Sequence, residues 1–138
     1  MADVSITAAN VATSSDSTLY TLSGTAGATI TQGQPLAGET TALEPADATD
    51  SALHKVVGIA LNAASSGQPV DYVIRDPEFN PGFTVTVGTV YVLGDAAGGI
   101  APAADLSSGE YAVVIGPGLT AAKLPVDFSA SRWGGAVP

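Results

Sequence analysis

The chain has 138 residues, 46% hydrophobic and only 12% charged, and its 13 acidic and 4 basic side chains give a formal net charge of −9. That length suits one domain burying about two-thirds of its unfolded surface, and a charge fraction well under the usual ~25% suggests a surface partly covered by something else. Lys55, Arg75, Lys123 and Arg132 stand singly, which argues against a nucleic-acid binder, and the absence of cysteine excludes disulfides, Cys-ligated zinc and thiol catalysis.

Residues 1–17 read as an N-terminal arm. Val4, Ile6 and Ala8 alternate with Ser5 and Thr7, the period-2 pattern of one short strand. The arm has too little apolar surface to hold itself on a body, so Val4 and Ile6 are expected to contact other chains. The start lacks a basic and an apolar signal segment, so synthesis in a cytoplasm is expected. No run approaches the ~18 apolar residues of a membrane span.

Residues 18–131 read as a single β domain. Short runs rich in Val, Thr, Ile and Tyr are expected as strands at 28–31, 55–61, 70–75, 83–87, 89–93, 111–115 and 124–128. Glycines punctuate them, and the regular spacing suggests a small β-barrel or β-sandwich. One helix is expected from Ala46 to Leu53, with Pro45 in its first turn and Asp47 and Asp50 near its positive end. Tyr20, Tyr72, Tyr91 and Tyr111 are expected inside core strands. The C-terminal tail, 132–138, shows no partner strand.

The middle of the chain is echoed by its end. Pro69-Val70-Asp71-Tyr72 answers to Pro125-Val126-Asp127-Phe128, an offset of 56 (125 minus 69). Val56–Leu61 answers to Val113–Leu119 with a slip near the glycine, Pro45-Ala46-Asp47 to Pro102–Asp105, and Ile30–Gly33 to Val85–Gly88. Two pseudo-repeated halves, about 24–78 and 79–131, would explain the order. Chance likeness between strand-turn sequences drawn from few residue types is the alternative.

Reactive chemistry is sparse. His54, the only histidine, lies four residues after Asp50 and reads as an exposed helix-end side chain, so His54→Ala should leave stability unchanged. Asp71, Asp76 and Glu78 could supply oxygen ligands to calcium but match no known loop spacing, and read as a solvated turn. The glycine runs lack the Lys-Ser/Thr of a phosphate loop. The residues therefore point to no enzyme, no cofactor and no metal.

Val4–Val11, Gly24–Ile30, Val57–Leu61, Val87–Leu93 and above all Gly98-Gly99-Ile100-Ala101-Pro102-Ala103-Ala104-Asp105-Leu106-Ser107-Ser108-Gly109 resemble small tailed-bacteriophage virion proteins. The family they look like is that of capsid decoration, or cement, proteins. The resemblance implies a structural protein on the outer capsid surface of a virion, clamping neighbouring subunits of the major capsid protein. It also implies a homotrimer and a possible contact with another head-surface protein, with no nucleic acid and no membrane as partners. Arg132-Trp133-Gly134-Gly135 departs from the usual ending of such proteins, so Arg132 and Trp133 join Val4 and Ile6 as expected interface residues. A head-fibre base or tail component, or a carbohydrate-binding adhesion module, is the alternative.

Overall fold

A computed structural model describes residues 3–14, 20–38, 42–128 and 133–136. The fold is all-β. Its strands are β1 (Val11–Ala12), β2 (Tyr20–Thr25), β3 (Pro35–Ala37), β4 (Glu44–Pro45), β5 (Val56–Ala60) and β6 (Pro69–Asp76). They continue as β7 (Asn80–Pro81), β8 (Val90–Leu93), β9 (Ile100–Pro102), β10 (Tyr111–Pro117), β11 (Val126–Asp127) and β12 (Trp133–Ala136). Single 3-10 turns occupy Ala8–Asn10 and Ala103–Asp105. Among the described residues the strands form three antiparallel sheets and no closed barrel: β1-β7, β12-β10-β8-β9 and β11-β6-β5-β3-β4, with β2 on the edge of β6 opposite β5.

Several expected elements are replaced. The helix at Ala46–Leu53 is two successive turns, because Asp47 accepts from the Thr49 N–H (2.8 Å) and Asp50 from the Ala52 N–H (2.7 Å). Such local side-chain bonds take donors that a helix would need. Residues 28–31 supply only an isolated bridge, Ile30 to Ala64, and 83–87 form no strand. The tail does find a strand partner: β12 pairs with β10, Trp133 opposite Val113 and Ala136 opposite Tyr111.

The same ladder is built twice. In the first occurrence Leu36 pairs with Pro45 and Ala37 with Glu44; in the second Tyr91 pairs with Pro102 and Val92 with Ala101. On the other side, Pro35, Leu36 and Ala37 face Ile59, Gly58 and Val56, while Val90, Tyr91 and Val92 face Pro117, Gly116 and Val114. Each ladder skips one residue at the same rung. The turn before each is also the same. Gly33 donates to Ala60 O (2.9 Å) and Ala60 to Gln34 O (2.9 Å); Gly88 donates to Gly118 O (3.1 Å) and Gly118 to Thr89 O (2.8 Å). Gly33 and Gly88 both adopt positive φ, 95° and 83°, a region that favours glycine.

The Pro-Val-Asp-aromatic echo is out of register. A Cβ on Gly58 would strike the carbonyl of Val73, and one on Gly116 would strike that of Pro125. Leu61 donates to Asp71 O (2.8 Å) as Leu119 does to Lys123 O (3.1 Å). Pro125 therefore takes the place of Val73, an offset of 52 (125 minus 73). Val70 pairs with Gly24, whereas Val126 pairs with Asp76, so the two Pro-Val-Asp-aromatic segments are not equivalent. The pairing of β2 with β6 is matched by residues 75–79 running beside 124–127: Arg75 faces Asp127, and Leu124 donates to Phe79 O (2.8 Å). The second repeat thus begins near Arg75, inside β6.

One large core joins both repeats, with Phe79, Ile59, Leu93, Ile100, Ile115 and Leu124 fully buried in it. A smaller core lies within the first repeat alone, around Ile30, Leu36, Leu43 and Val70.

Candidate functional site

The N-terminal segment lies on the protein's own body, where the sequence suggested a reach to other chains. Val4 donates to Ile100 O (2.7 Å) and Thr7 to Gly82 O (2.8 Å). Val4 and Ile6 pack half-buried against the large core, and Val11 is buried in it. The apolar surface that looked insufficient suffices because glycines make room. A Cβ on Gly33 or Gly82 would lie 2.8 Å from the Val11 methyl, and the same addition at Gly33 would meet Ile6 at 2.8 Å. Asp3 sits at the end of this seat against Gly94 and Gly99. Burial first, and then the neighbouring Asp95, raise its pKa against the opposing Ala96 N–H, and Glu110 adds to the rise. Asp3 Oδ1 and Glu110 Oε2 are buried without a hydrogen-bond partner.

Asp76 pins the far end of the segment. It is fully buried and accepts from Ser14 N–H (2.7 Å), Ser14 Oγ (2.5 Å) and Glu78 N–H (3.0 Å). Asp76 is thus a structural anchor, which overturns its reading as part of a solvated turn. The other two carboxylates of that group face elsewhere: Asp71 accepts from the Ser23 hydroxyl and Glu78 pairs with Lys123 at 3.0 Å. Among the described residues no group of three or more His, Asp or Glu side chains is placed to hold a metal ion.

His54 is also corrected. It is only 7% exposed and stacks on Tyr111, ring centroids 3.9 Å apart and planes 11° from parallel. Its Nδ1 lies 3.3 Å from the Asp50 carbonyl. Of the tyrosines, Tyr91 is buried and its hydroxyl accepts from Thr86 N–H (2.9 Å), Tyr72 and Tyr111 are half-buried, and Tyr20 is 53% exposed. Arg132 lies outside the described residues, and only the backbone of Trp133 is described.

Two surface features invite ligands. The first is an apolar tip on the second repeat, where Val87 (65% exposed), Val90 (41%) and Leu119 (50%) gather. The Gly88–Gly118 bond and the Val90–Pro117 pair hold these segments side by side. Sequence periodicity missed this tip because the first-repeat counterparts of Val90 and Pro117, Pro35 and Ile59, are buried. The second is a shallow cleft of about 430 Å³ beside the N-terminal segment, lined by Ser5, Thr7, Asn10, Asn80, Phe83 and Thr84 and free of charge. No helix among the described residues is long and apolar enough to cross a membrane.

Comparison of the chain with protein-family models, curated proteins and solved structures finds no match.

Proposed function

We propose that this chain is a structural protein of a tailed-phage virion that binds the outside of the assembled capsid and cements neighbouring major capsid subunits, acting as a homotrimer. The observation that carries the reading is the Val87–Val90–Leu119 tip. Residues 86–90 and 117–120, which build it, contain no charged side chain in a chain of net charge −9, and Lys123, bridged to Thr120, is paired with Glu78. An apolar tip on an acidic protein suits burial against a partner, and large exposed side chains in one place mark interaction sites. The family resemblance supplies the nature of that partner. Cementing needs a rigid body and repeated, individually modest contacts across a lattice, with no catalytic group. The test is binding to assembled heads that lack the protein. Wild-type protein should decorate them in a cryo-EM map, while Val87→Asp with Leu119→Asp should lose occupancy and keep its melting temperature. Full occupancy by the double variant would overturn the assignment of the tip.

The uncharged cleft favours a second reading, a carbohydrate-binding module. Hydroxyl and amide groups beside the Phe83 ring suit a neutral polyol, since a charged ligand would find no counter-ion there. Titration with neutral monosaccharides, followed by NMR at the Asn80 and Thr84 amides, separates the two readings. Absence of any shift at millimolar sugar would remove the second.

A further inference from the structure

The shared ladder lets one repeat show what covers the other. Gly33 corresponds to Gly88 and Gln32 to Val87, while Pro35 corresponds to Val90, Ile59 to Pro117 and Leu61 to Leu119. In the first repeat Gly33, Pro35 and Ile59 are buried, and Gln32 and Leu61 are half-buried. In the second repeat all five positions are exposed. The two turns share their hydrogen bonds and their positive φ. The difference lies in what stands over them.

Over the first turn stands the N-terminal segment. A Cβ on Gly33 would lie 2.8 Å from a methyl carbon of Ile6 and from one of Val11, and Gln32 Nε2 donates to the Val11 carbonyl (3.0 Å). Leu61 packs against the large core that holds Val11. Over the second turn the described residues place nothing, since a Cβ on Gly88 would meet no atom within 4 Å. Three large apolar side chains, Val87, Val90 and Leu119, therefore share one patch of water-facing surface, which is unfavourable until a partner covers it. The polar member of the first set, Gln32, is Val87 in the second. The second turn has exchanged an amide that reads a backbone carbonyl for an apolar contact.

We infer that the tip is a second seat of the kind at Gly33, and that its occupant is a short uncharged segment of another protein. Branched apolar side chains of that segment enter over Gly88 as Ile6 and Val11 enter over Gly33. The first seat supplies the chemistry: residues 4–14, which cover it, carry no charge, and Ile6 and Val11 flank a single 3-10 turn. A neutral segment suits a neutral tip because no charge is stripped of water on contact. The chain's own N-terminal segment is committed to its own body through Val4 on Ile100 O, Thr7 on Gly82 O and Ser14 on Asp76. A second copy would also bring net charge −9 against −9. The inference deepens the capsid reading and rests on it for the owner of the segment, a major capsid subunit.

The probe is a synthetic peptide of residues 4–14, titrated into the isotope-labelled full-length protein. At millimolar peptide the amide signals of Gly88, Thr89 and Thr120 should shift, and a peptide carrying Ile6→Asp and Val11→Asp should leave them in place. Gly88→Ala adds a methyl that meets nothing in the free protein, yet it should weaken peptide binding at least ~10-fold, about 1.4 kcal/mol. Val87→Asp with Leu119→Asp keeps the turn glycine and should abolish binding with an unchanged melting temperature. No shift at the tip, or shifts confined to Gly82 and Ile100 where the peptide would trade places with the protein's own segment, would overturn the seat. The owner is read separately. The chain has no cysteine, so a benzophenone carried on Thr120→Cys labels one place, and on decorated heads it should cross-link to an uncharged stretch of the capsid subunit. A cross-link to a charged stretch or to another copy of this chain would overturn the assignment of the occupant. Peptide binding at the tip without decoration of heads would overturn the capsid reading alone.

Discussion

The two repeats share a ladder but not a seal. In the first, Leu43 donates to Thr25 O (2.8 Å) and Gly27 to Leu43 O (2.7 Å), so the repeat closes on itself over its own small core. In the second, the corresponding positions are Gly82 and Ile100, and each bonds instead to the N-terminal segment, through Thr7 and Val4. The counterparts of Ile30, Leu36 and Leu43 are Val85, Tyr91 and Ile100, which belong to the large core that also takes in Val11. A repeated sequence therefore does not imply equal autonomy. One copy has a small core of its own beside the shared one, and the other is completed by a segment that precedes both.

The most severe way to break this comparison is to delete residues 2–14. The second repeat then loses buried Val11 and every donor that Ser14 gives to Asp76. Leaving a buried carboxylate so poorly bonded, together with the lost packing, should cost about 3–5 kcal/mol. Hydrogen exchange should show the loss concentrated in β8–β10, with β3 and β5 protected longer; uniform loss would deny the difference between repeats. Asp76→Ala should cost about 2–3 kcal/mol by removing three accepted bonds at a buried site. A double-mutant cycle with Ser14→Ala, read by urea melting, should show coupling of about 1 kcal/mol.

Equivalent glycines sharpen the comparison. Gly33 and Gly88 share a positive φ, but a Cβ on Gly33 meets Ile6 and Val11, while one on Gly88 meets open space. Both alanine variants should suffer the left-handed backbone cost of about 1 kcal/mol, and Gly33→Ala should lose about 1–2 kcal/mol more through overpacking. Equal losses would mean that the segment yields freely. His54→Ala, expected from the sequence to be silent, should instead cost about 1–2 kcal/mol through the lost stack on Tyr111.

The smallest effect is on pH. The raised pKa of seated Asp3 means that its seat binds a proton more tightly than the free segment does. Seating is thus favoured below the ordinary value of 3.8 and weakens as pH rises through the raised one. Exchange of the Val4 and Thr7 amides, corrected for intrinsic rate, should speed up across that window, and Asp3→Asn should flatten the trend.

Local pattern alone determined a good deal of this protein. Alternating branched residues broken by glycine dictate short strands and an all-β fold, because that spacing suits a pleated, half-buried surface and no helix face. The echo of Ile30–Gly33 in Val85–Gly88 was legible because a turn needing positive φ writes glycine at a fixed place. What local pattern could not decide is anything set by distant neighbours. Pro-Val-Asp-Tyr and Pro-Val-Asp-Phe look alike, yet lie four residues out of register, since register depends on which carbonyl passes over Gly58 and Gly116. Asp76 and His54 read as solvated because burial is conferred by Ser14, 62 residues away in sequence, and by Tyr111. The N-terminal segment looked too polar to hold itself down, because its grip comes less from its own side chains than from the glycines that leave room beneath them.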